Sequence, residues 1–351
     1  MKAGIGAPKA AIGANPALEA APKAGIGAQK AGIRPIPATI GAIAGRIGAP
    51  TGVGGPWHRG CLLVKRRVMI APVDGKAPLY RSLMRHLVGI GWIDEPVGGR
   101  KGIGEVEAWS VTGFVVAACN HWFLLTAGHV FRDMELRFKS QRKLIRSCFL
   151  DGMSLGKPGH PITFSFDGTR KLVMDEREDG IDLGLLVLSP MYVELLKKGG
   201  IVPLDASAWA KPDAPVTGFA LLGFPKERKS ARVTAPPDNP DGIEVRWRVH
   251  PPLMSVRPER RPPKVLKKKV PQFYGRIAPK FMTPGGEVAL DDIDGMSGGP
   301  LFALSRGEKE IKYWLVGVQS VWVKSKRALA ATYAGPLMKT LEEEMRARGF
   351  G

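Results

Sequence analysis

Three residues in this chain combine a reactive side chain with surroundings able to hold it. Ser297 lies in Gly295-Met296-Ser297-Gly298-Gly299-Pro300, where glycines let the backbone turn tightly and come close to a ligand. A serine so placed becomes a nucleophile when a base stands beside it. The plainer alternative is a Gly-rich turn whose hydroxyl only closes a local hydrogen bond. His129 follows the apolar run Trp122 to Ala127, so a strand ending there would hold the imidazole firmly, as a general base requires. Asp182 heads the apolar run Ile181 to Leu188. A buried lone carboxylate is costly unless hydrogen-bonded, so this acid should have a partner. His58, His86, His121, His160 and His250 lack such a setting and read as packed or solvent-facing imidazoles.

Around these residues the local sequences resemble known motifs. Thr126-Ala127-Gly128-His129-Val130 resembles the histidine motif of trypsin-like (chymotrypsin-fold) serine proteases, and Asp182-Leu-Gly-Leu185-Leu186 fits that family's Asp-x-x-Leu-Leu pattern. Asp179 is the rival acid, but it sits in a charged, loop-like segment. The resemblance implies a serine endopeptidase acting on protein or peptide substrates through a His129-Asp182-Ser297 triad and a covalent acyl-enzyme. His129 would take the Ser297 proton and return it to the leaving amine, Asp182 would orient His129, and the N–H groups of Gly295 and Ser297 would form the oxyanion hole. Ungapped counting back from Ser297 places Asp291 at the family's specificity position, where a carboxylate selects Arg or Lys. Gly317-Val-Gln-Ser320-Val matches the strand that binds substrate as an added edge and whose serine supports the buried aspartate, making Ser320 a further candidate.

Gly-x-Ser-x-Gly also describes the nucleophile elbow of α/β-hydrolases. Those enzymes run serine, acid, histidine along the chain, whereas every histidine here precedes Ser297. No His-Glu-x-x-His or Cys-x-x-Cys spacing points to metal hydrolysis, and no cofactor is expected. Met296 stands where the digestive members of the family carry an aspartate that pairs with a newly cut N-terminus, and no cysteine follows His129 to brace its loop. Val53-Gly54-Gly55 resembles their mature N-terminus only superficially. These departures place the resemblance closer to the bacterial and intracellular branch, which includes the high-temperature-requirement proteases. The segment after Ser297 is too short for a recognisable PDZ-type module.

The elements that must position these residues follow from the pattern. Val111 to Cys119 and Trp122 to Ala127 read as two apolar strands joined tightly at Asn120. Ile243 to Val249 alternates strictly, and Leu301 to Leu304 and Tyr313 to Trp322 read as paired strands. Cys61 to Ile70 reads as a further strand, with a short helix around Leu79 to Val88. Pro336 to Arg348 is an amphipathic helix. The expectation is an all-β fold of two six-stranded antiparallel β-barrels, a chymotrypsin-like double barrel, with a C-terminal helix. The first barrel would extend to about residue 200 and the second from about 205 to 335, within a domain of residues 57–351.

Residues 1–56 are almost wholly Ala, Gly, Pro, Ile and Lys, with imperfect copies of Lys-Ala-Gly-Ile-Gly-Ala, and are expected to be a disordered basic extension. No apolar run approaches the roughly 20 residues that span a membrane, so no transmembrane segment is expected. The three cysteines suggest no disulfide framework. With no clear signal peptide, a cytoplasmic location is the expectation. The formal charge of +20 raises an acidic partner, reached through the basic tail and the segment Arg257 to Lys269. That segment lacks the interleaved aromatics that would stack bases, so a solvated loop is its plainer reading. A catalytically silent trypsin-fold binding protein and a basic nucleic-acid-associated protein are the alternative functions.

Overall fold

The computed structural model describes residues 78–99, 102–140, 142–150, 161–209, 215–226, 229–235, 243–249, 251–260, 262–283, 286–306 and 311–347. The expected basic extension, 1–56, and the expected strand at Cys61 to Ile70 lie outside these residues.

A short helix, α1 (Pro78–Met84), leads into β1 (Leu87–Pro96), β2 (Glu107–Ala118) and β3 (His121–Thr126). Helix α2 (Gly128–Ser140) follows, then β4 (Arg142–Leu150), β5 (Ile162–Phe164), β6 (Lys171–Glu176) and β7 (Ile181–Val187). These strands make a seven-stranded sheet in the order β5-β4-β1-β2-β3-β7-β6, antiparallel throughout. Helices α3 (Pro190–Lys198) and α4 (Ala206–Trp209) connect it to the second half. The second half begins with β8 (Gly218–Leu222), the hairpin β9 (Lys229–Thr234) and β10 (Glu244–Val249), β11 (Leu253–Pro258) and β12 (Gln272–Ile277). A second hairpin, β13 (Lys280–Thr283) and β14 (Gly286–Ala289), precedes β15 (Pro300–Arg306), β16 (Ile311–Val323), β17 (Ala328–Tyr333) and helix α5 (Ala334–Ala347). Six of these strands close a barrel in the order β11-β12-β17-β16-β15-β8. The chain therefore has the mostly antiparallel β architecture of the chymotrypsin-like class, with one closed barrel and a second, seven-stranded antiparallel sheet.

The β2–β3 hairpin shows how local sequence sets this geometry. Ala118 pairs with His121 across a two-residue turn, and Cys119 and Asn120 take φ of 47° and 60°. Two positive φ values match the right-handed twist of the flanking strands, and Asn tolerates them well. In β2, Thr112, Phe114, Val116 and Ala118 form one face by period-two alternation and are all buried. Phe114, Val116 and Ala118 join Leu222, Phe302 and Leu315 of the barrel in one apolar cluster, so this face of the sheet is buried against the second half. The opposite face packs Val115 and Leu124 against Phe131 and Met134 of α2.

Several elements differ from the sequence reading. α5 starts at Ala334, two residues before Pro336, which is tolerated because the first N–H groups of a helix have no intrahelical acceptor. α1 ends at Met84, and β1 occupies a stretch whose glycines read as turns. Gly91 serves packing instead: a Cβ there would press on Cys148 and Leu150 of β4. Helix α2, which opens at Gly128 and includes His129, is absent from the sequence reading, although Val130, Phe131, Met134 and Phe138 have helical spacing. Its far end is tied down by Asp94. This fully buried carboxylate accepts from Arg137 Nε at 2.8 Å and Arg142 Nε at 2.6 Å, joining α2 to β1 and β4.

Candidate active site

Strand pairing explains why the histidine and the acid meet. Thr126 at the end of β3 is opposite Gly184 of β7, so His129 beyond one strand and Asp182 at the start of the other emerge at the same sheet end. The two are joined twice. The His129 backbone N–H donates to Asp182 Oδ1 at 2.9 Å, and Nδ1 lies 2.7 Å from Oδ2. Asp182 is 1% exposed, so these protein donors stand in for water, as a buried carboxylate requires. Acceptance by Oδ2 fixes the Nδ1–H tautomer and leaves Nε2 as the basic nitrogen. Burial pulls the His129 pKa down, but the hydrogen bond and charge of Asp182 outweigh burial and the opposing Arg177 cation, and the net shift is upward.

Ser297 and Gly295 line the same cavity as His129, about 460 Å³ in volume. The turn that carries them is held at each peptide plane. The Asp294 carbonyl accepts from the Lys226 N–H at 2.7 Å, and the Met296 carbonyl accepts from the Gly299 N–H at 2.7 Å. In a trans peptide the C=O and N–H point oppositely, so both bonds direct the next N–H, those of Gly295 and Ser297, away from the pinned carbonyls. Among the described residues neither N–H donates to a carbonyl. The plane between them is fixed at both ends, with the Gly295 carbonyl taking a bond from Thr112 Oγ1 at 3.1 Å and the Met296 N–H donating to the Ile293 carbonyl at 3.0 Å. Gly295 has φ 86°, a left-handed conformation that suits glycine. Gly298, at φ 87°, lies so close to the first sheet that a Cβ would overlap the Thr126 hydroxyl and crowd the Thr112 carbonyl.

Thr112 was not anticipated from sequence. Its hydroxyl accepts from the Phe224 N–H at 2.8 Å while donating to Gly295, so one side chain of the first sheet braces two turns of the second half. The signal available was a polar residue at an inward-facing position of an alternating strand. Lys226 was also missed, because its contribution is a backbone N–H that no residue type announces.

The remaining candidates lie elsewhere. Asp291 is exposed and outside the cavity lining, with its carbonyl 3.5 Å from Arg327 Nη1. The neighbouring Asp292 is the more engaged acid, accepting from Trp322 Nε1 at 2.9 Å and Lys324 Nζ at 3.0 Å. Burial opposes ionisation of Asp292, but these donors and the Asp294 N–H hold its carboxyl below the usual range. Ser320 is buried at a register shift of β16, where its hydroxyl donates to the Ala330 carbonyl at 3.3 Å and accepts from Gln272. Its bonds thus run toward β17 and β12, not to Asp182. Beyond Val318, the last β16 residue paired with β15, the partly exposed residues Val321 to Val323 leave one edge open.

The arrangement offers a base oriented by a buried acid, a hydroxyl on the same cavity, and two fixed backbone donors. Among the described residues the Ser297 hydroxyl makes no hydrogen bond, and no cluster of His, Cys, Asp and Glu could hold a metal ion.

No protein-family model and no curated protein matches this chain. Among solved structures it is similar to a catalytically inactive tobacco etch virus protease complexed with substrate, at 11% identity over 76% of this chain and 86% of that one, with a TM-score of 0.36. It is also similar to the protease Anisep from Arthrobacter nicotinovorans, at 16% identity over 73% and 93% of the two chains, TM-score 0.37. A thermostable serine protease, AL20, from an extremophilic microorganism is similar at 13% identity over 74% and 97%, TM-score 0.39. At such scores these likenesses add nothing to the site, and the chain's own strand order and side-chain geometry define the architecture.

Proposed function

We propose that this chain is a serine endopeptidase. Ser297 attacks a peptide carbonyl as His129 Nε2 takes its proton, and Asp182 stabilises the imidazolium. The developing oxyanion lies against the N–H groups of Gly295 and Ser297. Each such donor is worth about 2.7–4 kcal/mol of transition-state stabilisation in comparable sites. The acyl-enzyme forms as the leaving amine receives the proton from His129, and water then repeats the sequence in reverse. The observation that carries this reading is the Asp182–His129 pair opening on the cavity that Ser297 and Gly295 share. Hydrogen bonds of catalytic groups commonly tighten only with substrate bound, so rotation of the unbonded Ser297 hydroxyl toward Nε2 completes the triad. The experiment is digestion of a proteome-derived peptide library by the parent and by Ser297→Ala, with cleavage products identified by mass spectrometry. Serine-dependent cleavage is expected, and equal cleavage by both proteins defeats the proposal.

The same library reads acyl-side specificity. Selection of Arg or Lys by Asp291 is supported by that residue's place ahead of Ser297, and a preference for small or apolar residues there overturns it. The second reading, a silent binding protein, is favoured by the unbonded Ser297 hydroxyl and predicts peptide binding without cleavage. The acidic partner expected through Arg257 to Lys269 is tested by retention on heparin, with elution at low salt counting against it.

A further inference from the structure

The cavity extends from Ser297 away from the open edge of β16: none of Ser320 to Val323 lines it, whereas Ala108 to Val111 of β2 and Val130, Asp133, Met134 and Arg137 of α2 border it. Its floor is apolar, formed by Trp92, Val130 and Met134, all buried. Trp109 stands at the rim, 39% exposed. Its ring lies near parallel to that of Trp92, with centroids 6.3 Å apart, and the Arg137 guanidinium is 4.8 Å from its centroid. Arg137 is itself held by Asp94 and Glu107, so the wall is braced before any ligand arrives. The Trp92 indole N–H is buried and has no hydrogen-bond partner among the described residues, so this ring contributes its apolar face to the cavity.

From this geometry we infer that the cavity is a specificity pocket for the leaving-group side of the substrate, taking an aromatic side chain from the residue that follows the cleaved bond. The inference rests on the peptidase reading. A peptide whose acyl part lies along Val321 to Val323 and passes Ser297 continues into this cavity. His129 lines it as well, where it must protonate the departing amine. Offset-stacked or edge-to-face packing on the paired tryptophans, with Met134 beneath, suits a Phe or Trp side chain. Discrimination is thereby set by residues on the far side of the scissile bond from Asp291.

Two measurements test this. In the first, the ¹⁵N-indole signals of Ser297→Ala are followed as phenylalaninamide, the leaving half of a cleaved Phe peptide, is added. Saturable shifts of the Trp92 and Trp109 signals, assigned with Trp92→Phe and Trp109→Phe, are expected, with alaninamide producing none. Signals that stay fixed, or move equally with alaninamide, overturn the pocket whether or not the protein is a peptidase. In the second, kcat/KM is compared for peptides with Phe or Ala after the scissile bond. The parent should favour Phe at least about tenfold, and Trp109→Ala should bring the ratio close to one. A parent ratio near one overturns the inference. Saturable indole shifts in a protein that cleaves no peptide would sustain the aromatic site and defeat the peptidase reading, so the two failures are distinguishable.

Discussion

Replacing Thr112 by Val removes one hydroxyl and preserves the β-branched shape of a buried side chain. The hydroxyl has two partners, the Gly295 carbonyl at 3.1 Å and the Phe224 N–H at 2.8 Å, and both lose it. Each orphaned buried group costs about 1–3 kcal/mol, with the carbonyl nearer the low end, so a stability loss of about 2–4 kcal/mol is expected. The catalytic consequence is separate. Without the Thr112 bond the peptide plane after Gly295 is held only through the Met296 N–H, and the aim of the adjoining Gly295 N–H loosens. Complete loss of one oxyanion donor would reduce kcat by about 10²–10³, so partial misalignment should reduce it by about 10- to 100-fold. KM should change by less than about threefold, because the donor acts chiefly in the transition state. The assay is steady-state hydrolysis of a peptide substrate by Thr112→Val and Thr112→Ser, with urea unfolding measured in parallel. Ser restores the hydroxyl and should recover kcat to within about threefold of the parent. A folded Thr112→Val with parental kcat, or a Ser variant as impaired as Val, refutes the bracing role.

Other outcomes follow from the same structure. Catalysis needs neutral His129, whose pKa Asp182 raises despite burial, so kcat/KM should climb with pH through a midpoint above the ordinary 6.5; a midpoint at or below 6.5 contradicts the pairing. The linked stability runs the other way: the His129–Asp182 contribution is full below the ordinary pKa and is lost as pH rises through the folded value. His86 is the opposite case, pushed down to about 4, chiefly by burial, with Nδ1 on the Val202 carbonyl and Nε2 on the Tyr313 hydroxyl. Its contribution is present above pH 6.5 and lost as pH falls through about 4, worth about 3 kcal/mol in urea unfolding, and His86→Gln should flatten that dependence. Asp94→Ala leaves Arg137 and Arg142 without their buried acceptor and should destabilise the fold by about 3 kcal/mol, read as a shifted urea midpoint.

How much of this was legible in the sequence depended on whether a residue acts through its side chain or its setting. His129 and Asp182 each abut an apolar run, and adjacent strands then brought both to one sheet end. The Asn120 turn and the final helix were legible because local chemistry decides them. β1 was not, since Gly89 and Gly91 look like turn residues and only the closeness of β4 and Phe224 explains them. The roles of Thr112 and Lys226 were hidden for a related reason: their partners lie far along the chain, so the inward polar position of Thr112 signals a partner without naming it, and Lys226 acts by its backbone. Asp291 could be reached only by counting along a turn, because register in a loop is set by tertiary contacts such as those of the neighbouring Asp292 with Trp322 and Lys324.

The central claim is that Ser297 is an activated nucleophile. Its most direct measurement is labelling of the parent, Ser297→Ala and His129→Ala with a fluorophosphonate probe, followed by peptide mapping of the adduct. A single adduct on Ser297 in the parent, absent from Ser297→Ala and strongly slowed in His129→Ala, is the predicted result. A properly folded parent that acquires no adduct, or an adduct that persists in Ser297→Ala, would contradict the claim.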